Sequence, residues 1–493
     1  MSDTSNQPTA DPKVSGATEG VGRSAIDQSI RIPVLVLAGA GLLWLVWGTV
    51  LALIASFKLH TPGFFGEIEW LTYGRVMPAS VNALVYGWGV NAALAVTIWL
   101  MARLSRSELR HGGILITAAI FWNAGVDVGH WGILIGYSTS VEWLEMPAYV
   151  TPLLLVAYIM MGVWGVLVFR YRRNPHTYVS QWFLLAALFS FPWIYSVAQI
   201  MLVFAPVRGT VQAVINAWYV QNLIWLWFTP IGLAAAYYFI PKVLGRPIHS
   251  YPQAVLAFWS LIVVAGWSGM ARLVGGPVPA WIISSGVVTG ILLLIPIVIT
   301  AINLHMTVMG NVREVWNSPT LRFVVFGGIA FTAAGLIGSI TSLRTLGVTT
   351  QLTHFTSGLT HLGFYGFFTM VMFGSLYFVV PRLLDKEWPS ASLISLHFWC
   401  CALGTAIVVG SLFIGGINQG LQMNDAGAYP EFIDIVRNTL PYLLSRTVGV
   451  ILITLGQLAF FTSFVWILLR PRTGKVTDPT LFDSSSALKS FAP

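Results

Sequence analysis

The sequence predicts an all-α, polytopic membrane protein of twelve transmembrane helices. Of its 493 residues 56% are hydrophobic and only 9% are charged, a composition far from that of a soluble globular domain. Apolar runs of about 20 residues, the length that crosses a hydrocarbon core, recur twelve times. The basic residues behind the formal charge of +8 gather in short turns between those runs. There they orient a membrane protein and give no footprint for nucleic acid.

Residues 1–30 (MSDTSNQPTADPKVSGATEGVGRSAIDQSI) are polar and rich in Ser, Thr, Gly and Pro. Lacking the basic start and apolar centre of a signal peptide, they are expected to form a disordered cytoplasmic tail. One membrane domain is expected over 31–470, with a second cytoplasmic tail at 471–493. The runs fall at 33–56, 78–101, 113–137, 149–169, 179–204, 212–240, 253–271, 280–305, 320–342, 352–380, 391–416 and 440–469. Turns after the second, fourth and tenth carry Arg103, Arg106 and Arg110, then Arg170, Arg172 and Arg173, then Arg382 and Lys386. The loop around Ser140 has neither Lys nor Arg, so both termini are expected on the cytoplasmic side. Cys400 and Cys401 are adjacent and cannot form an ordinary disulfide with each other.

Polar residues inside the apolar runs are costly in lipid and mark where chemistry would lie. They are His354 and His361 in the tenth run, Asp127 and His130 in the third, Gln221 in the sixth, Arg272 closing the seventh and Arg446 in the twelfth. His354 and His361 lie seven apart on one helix face, so they cannot grip one ion from opposite sides. Asp127 and His130, three apart, are expected to satisfy each other. His361 either ligates a group or is satisfied by neighbouring helices.

Several stretches, in order, resemble the catalytic subunit I of the cbb3-type cytochrome c oxidases, members of the haem-copper oxidase superfamily. GEIEWLTYGR (66–75) resembles the entry to helix two, and AWYVQNLIWLWF with AYYFIPK (217–228, 236–242) resembles helix six. AFWSLIVVAGWSGMARL (257–273) resembles helix seven, and SGLTHLGFYGF (357–367) the haem-bearing helix ten. GINQGLQ (416–422) and PYLLSRTVG (441–449) match the eleventh and twelfth. The resemblance implies a haem-copper oxidase subunit I-like fold in a respiratory membrane, the bacterial inner membrane. Membrane-anchored cytochrome c or other respiratory subunits are the partners it implies.

The family clamps a low-spin haem between histidines of helices two and ten, and holds a high-spin haem by a second histidine of helix ten. Copper beside it takes three histidines from helices six and seven. Imidazole nitrogen suits both metals. Carried over to this sequence, only His361 survives, at the low-spin haem position. Its helix-two counterpart falls on Ser80, the high-spin haem ligand on Leu359, and the copper ligands on Gln221, Ala271 and Arg272. The tyrosine that assists oxygen cleavage falls on Ala265. Arg446 matches the position that pairs with haem propionates.

This departure implies a divergent member with a degenerate site: no copper, at most one haem b at His361, and no oxygen reduction by the chain itself. Arg272 has two readings: a fixed charge standing in for the lost metal and holding an acid or carbonyls, or a cation snorkelling to the interface. The function expected is that of a non-catalytic subunit of a respiratory complex. One alternative is a single-haem electron-transfer or gas-binding protein using His361; another is a transporter using the vacated cavity, for which no inverted repeat is visible.

Overall fold

The computed structural model describes residues 12–428 and 431–471. Among them are twelve helices long and apolar enough to cross a membrane. Hydrocarbon offers no partner to a backbone N–H or C=O, and the helix satisfies both within one segment. In chain order the spans are α1 (Ser24–Lys58), α2 (Tyr73–Ser105), α3 (Gly112–Leu134), α4 (Ala148–Arg170), α5 (Val179–Phe204) and α6 (Val211–Leu244). They continue as α7 (Tyr251–Leu273), α8 (Ala280–Val308), α9 (Pro319–Thr341), α10 (His354–Leu384), α11 (Ala391–Met423) and α12 (Phe432–Leu469). The expected all-α membrane architecture is therefore what the chain adopts.

The N-terminal boundary differs from the one composition suggests. A continuous helix runs Pro12–Lys58, so residues 12–30, read as tail, extend α1. Burial of Ile26 and Ile30 and the ion pair of Asp27 with Arg103 at 3.3 Å hold that extension against the bundle. Residues 1–11 and 472–493 of the expected tails lie outside the described residues.

Three helices form the centre. The most apolar stretches of α2, α6 and α10 are 94%, 89% and 94% buried, whereas those of the other nine are 39% to 56% buried. The nine surround the three and present their outer faces to lipid. The inner helices meet through aromatic rings set against glycines. Phe228 of α6 lies 4.9 Å and 4.6 Å, ring to ring, from Phe364 and Phe368 of α10. A side-chain carbon at Gly89 of α2 would come within 2.8 Å of Phe228, and one at Gly232 of α6 within 2.6 Å of Phe367. Small residues thus let these helices close up, as membrane packing requires.

Each central helix also contains a π-helical segment, at Ala83–Gly89, Leu223–Phe228 and Leu362–Thr369. Such widened turns are uncommon and gather at functional sites. Here they begin just after Ser80, Gln221 and His361.

The α-helical part of α7 ends at Ala265 and its chain then turns sharply. Gly269 sits at φ +107°, which disfavours any side chain. A 3₁₀ turn follows over Met270–Leu273. Gly286 of α8 packs flat on that turn, with space for no β-carbon: one placed there would lie 2.3 Å from the Ala271 nitrogen. Gly286→Ala should therefore push the turn out of place and lower unfolding stability by about 1–3 kcal/mol, measured by thermal denaturation in detergent.

Candidate functional site

Even-numbered helices run in one direction and odd-numbered ones return, so the starts of α2, α6, α10 and α12 lie at the same end of the bundle as the close of α7. Ser80, Gln221, Leu359, His361, Arg446, Ala271 and Arg272 all belong to that end. Three cavities organise them.

Gln221, Ala271, Arg272 and Leu359, from α6, α7 and α10, line one cavity of about 100 Å³ together with Ser268 and Thr360. A second, of about 310 Å³, is bounded by Arg272, His361, Tyr365, Glu142 and Glu145. A third, smaller cavity brings His361 and Arg446 together beside Tyr365 and Thr405. The structure thus gathers six of the eight candidate residues. Ser80 and Ala265 line none of the three. Ser80 is buried and its hydroxyl donates to the Met77 carbonyl at 2.8 Å, and Ala265 is packed in the core. His354 also stands apart, its backbone N–H donating to the Gln419 side-chain oxygen at 3.0 Å.

His361 closes the α-helical first part of α10, just before the π-helical segment opens. Its Nδ1–H donates to the Ser357 carbonyl at 2.8 Å. That bond fixes the tautomer and leaves the Nε2 lone pair available, the arrangement of a ligating imidazole. Arg446 is buried and donates from Nη1 to the Ser56 hydroxyl at 2.8 Å. Ser56 in turn bonds Thr447 at 2.8 Å, which His60 reaches at 3.0 Å.

Arg272 forms an ion pair with Glu142 at 3.5 Å, its side chain 18% exposed. The expected mutual pairing of Asp127 and His130 is not what forms. His130 turns toward α1 and accepts the indole N–H of Trp47 at 2.8 Å, while Asp127 is exposed. Spacing along α3 makes the pair possible, and packing against α1 decides otherwise.

Glu142 and Glu145 escaped the sequence reading because they lie in the α3–α4 loop, outside the apolar runs, and VEWLEMP carries no sign of their partners. Glu145 accepts from the Asn82 amide at 2.7 Å. Burial pushes its carboxyl up from an ordinary 4.5 to about 7, against the opposing pull of the Asn82 hydrogen bond. A carboxyl that holds its proton more tightly when folded contributes stability that is complete below about pH 4.5 and is lost as pH rises through about 7. The melting temperature should therefore fall between about pH 4.5 and pH 7, and Glu145→Gln should flatten that fall. Equal pH dependence of the two proteins would refute this account of Glu145.

Residues 32–452 match the family described as Cytochrome C and Quinol oxidase polypeptide I. The cbb3-type cytochrome c oxidase subunit CcoN1 of Stutzerimonas stutzeri is 26% identical over 457 residues, covering 90% of this chain and 95% of that one. A cytochrome c oxidase subunit 1 homolog of Azorhizobium caulinodans is 27% identical over 448 residues, covering 87% and 80%. The fold is similar to that of a solved heme-copper terminal oxidase dimer, with a TM-score of 0.71 at 16% identity over 92% of this chain and 86% of that one. The resemblance carried by helices two, six, seven and ten is thus borne out for fold and family. Because the match runs through the first eleven spans and into the twelfth, this integral membrane protein belongs to the cytochrome c and quinol oxidase polypeptide I family.

Proposed function

We propose that this chain is a cbb3-type oxidase subunit I-like protein without copper or high-spin haem ligation, acting as a non-catalytic subunit of a respiratory complex. The observation that carries the reading is the donor set of the cavity lined by Gln221, Ala271, Arg272 and Leu359. Leu359 and Ala271 have no lone pair, a guanidinium has no acceptor, and one amide oxygen is a poor substitute for three imidazoles. Copper and a five-coordinate haem do not fit these residues. Among the described residues no group of three or more His, Cys, Asp or Glu gathers to hold another metal.

A second reading rests on a different observation. His361 keeps its Nε2 unbonded and borders a cavity with Arg446, and these two side chains have the chemistry that would hold one haem b. Bound there, the haem would supply one-electron transfer or gas binding; His361 would hold its iron and Arg446 would balance its carboxylates. Fold is retained readily when a site is lost.

Metal analysis of protein purified from native membranes tests both readings. It should contain no stoichiometric copper, at most one haem, and neither oxygen nor nitric oxide reductase activity. If one haem is present, His361→Ala should abolish its reduced-minus-oxidised spectrum and His354→Ala should leave it. Two haems with copper would overturn the assignment of all four ligand positions.

The arginine-rich turns support an orientation with both termini in the cytoplasm of a bacterial inner membrane. The candidate cavities then face the opposite side. Reporters fused after Arg106 or Arg172 should read as cytoplasmic, and one at Ser140 as external; the reverse pattern would invert the assignment.

A further inference from the structure

The cavity between α6, α7 and α10 holds a cation and no acid. Among its lining residues Arg272 is the one ionisable group, with Gln221 and several hydroxyls around it. We propose that this cavity binds a small planar oxyanion, of the two-oxygen class to which formate and nitrite belong, with the Arg272 guanidinium as its anchor. The proposal rests on the reading that neither copper nor high-spin haem occupies the place.

Four features converge on it. First, Arg272 is incompletely matched. Its ion pair with Glu142 is long at 3.5 Å, and the Glu142 side chain is 49% exposed, whereas tight charge-assisted bonds close to about 2.7–2.9 Å. A guanidinium offers five N–H donors in a rigid fork, and Glu142 lies on the neighbouring cavity rather than in this one.

Second, Ser268 is 3% exposed and its hydroxyl has no hydrogen-bond partner. The neighbouring hydroxyls differ: Thr356 donates to the Thr350 carbonyl at 3.2 Å and Thr360 to the Thr356 carbonyl at 3.0 Å. Buried polar groups are ordinarily satisfied, so an orphan lining a cavity beside a cation points to a missing acceptor. Gln221 adds an amide to the same lining.

Third, the room suits the ligand. About 100 Å³ is several times the roughly 10–15 Å³ of such space that admits one water, enough for a carboxylate-sized anion. Fourth, the anchor is pre-positioned. Gly269 at φ +107°, the 3₁₀ turn at Met270–Leu273 and the flat contact of Gly286 fix the backbone that bears Arg272. A planar anion can then take two parallel N–H donors from the fork, in surroundings of low polarity that strengthen the attraction.

The test titrates the full chain, purified in detergent, with formate by calorimetry, while copper and haem are assayed on the same sample. Saturable single-site binding is expected. Arg272→Gln should weaken it at least about tenfold, the effect of losing charge-assisted hydrogen bonds, and Ser268→Ala should weaken it less. Should Arg272→Gln fail to fold, Arg272→Lys retains the charge and loses the fork; it should bind formate more weakly than wild type. No saturable binding in a folded, copper-free protein, or undiminished binding in folded variants of Arg272, would overturn the anion site and leave the proposed function standing. Stoichiometric copper in the sample would overturn both.

Discussion

Three helices almost wholly enclosed by the other nine are the constraint on which this molecule depends. In a bilayer the hydrophobic effect does not drive helix against helix, because lipid tails are as apolar as leucine. Close fit must do the work, and around α2, α6 and α10 it does so by matching glycine to aromatic ring, as at Gly89 with Phe228 and Gly232 with Phe367. Once shielded on every side, these helices can carry groups that a lipid-facing helix cannot. Asn82, Asn91, Asn222 and Thr369 are all buried there. The indole of Trp88 reaches Thr369 across the α2–α10 contact at 3.2 Å.

The polar groups at the site end follow from that shielding. Two guanidiniums lie there, and each is partnered differently: Arg446 is wholly enclosed and rests on Ser56, while Arg272 leans on a carboxylate from a loop. Removing charge from water is expensive unless hydrogen bonds or a counter-charge compensate. The Ser56 hydroxyl on which Arg446 rests carries no counter-charge, and the cation borders the same cavity as His361. Electrostatics and cavity shape therefore point to the same place by separate routes.

Much of this was legible in the chain. Hydrophobic run length located all twelve spans, since crossing hydrocarbon imposes a minimum that composition reveals. The ends were less readable. α2 begins at Tyr73 and α12 at Phe432, ahead of the apolar residues, because a helix buried in protein or rising into the interface can include Arg75 or Asp434 without meeting lipid. His361 and Arg446 stood out as polar residues in apolar surroundings. Glu145 and Ser268 did not, being an ordinary acid in a loop and an ordinary serine between Trp267 and Gly269; only their depth distinguishes them, and that arises from chain segments far away. His130 was visible but its companion was not, because Trp47 belongs to another helix and no periodicity joins the two.

The π-helical segments have an implication for how such a protein changes over time. A turn closed from i to i+5 accommodates an additional residue without breaking the helix, so side chains on either side of it keep separate rotational registers. In α2, α6 and α10 that joint follows Ser80, Gln221 and His361 and itself carries Gly89, Phe228, Phe364, Phe367 and Phe368, the residues of the central contacts. A substitution just before the joint then leaves the packing within it intact, so the architecture can outlast a change in what its site binds.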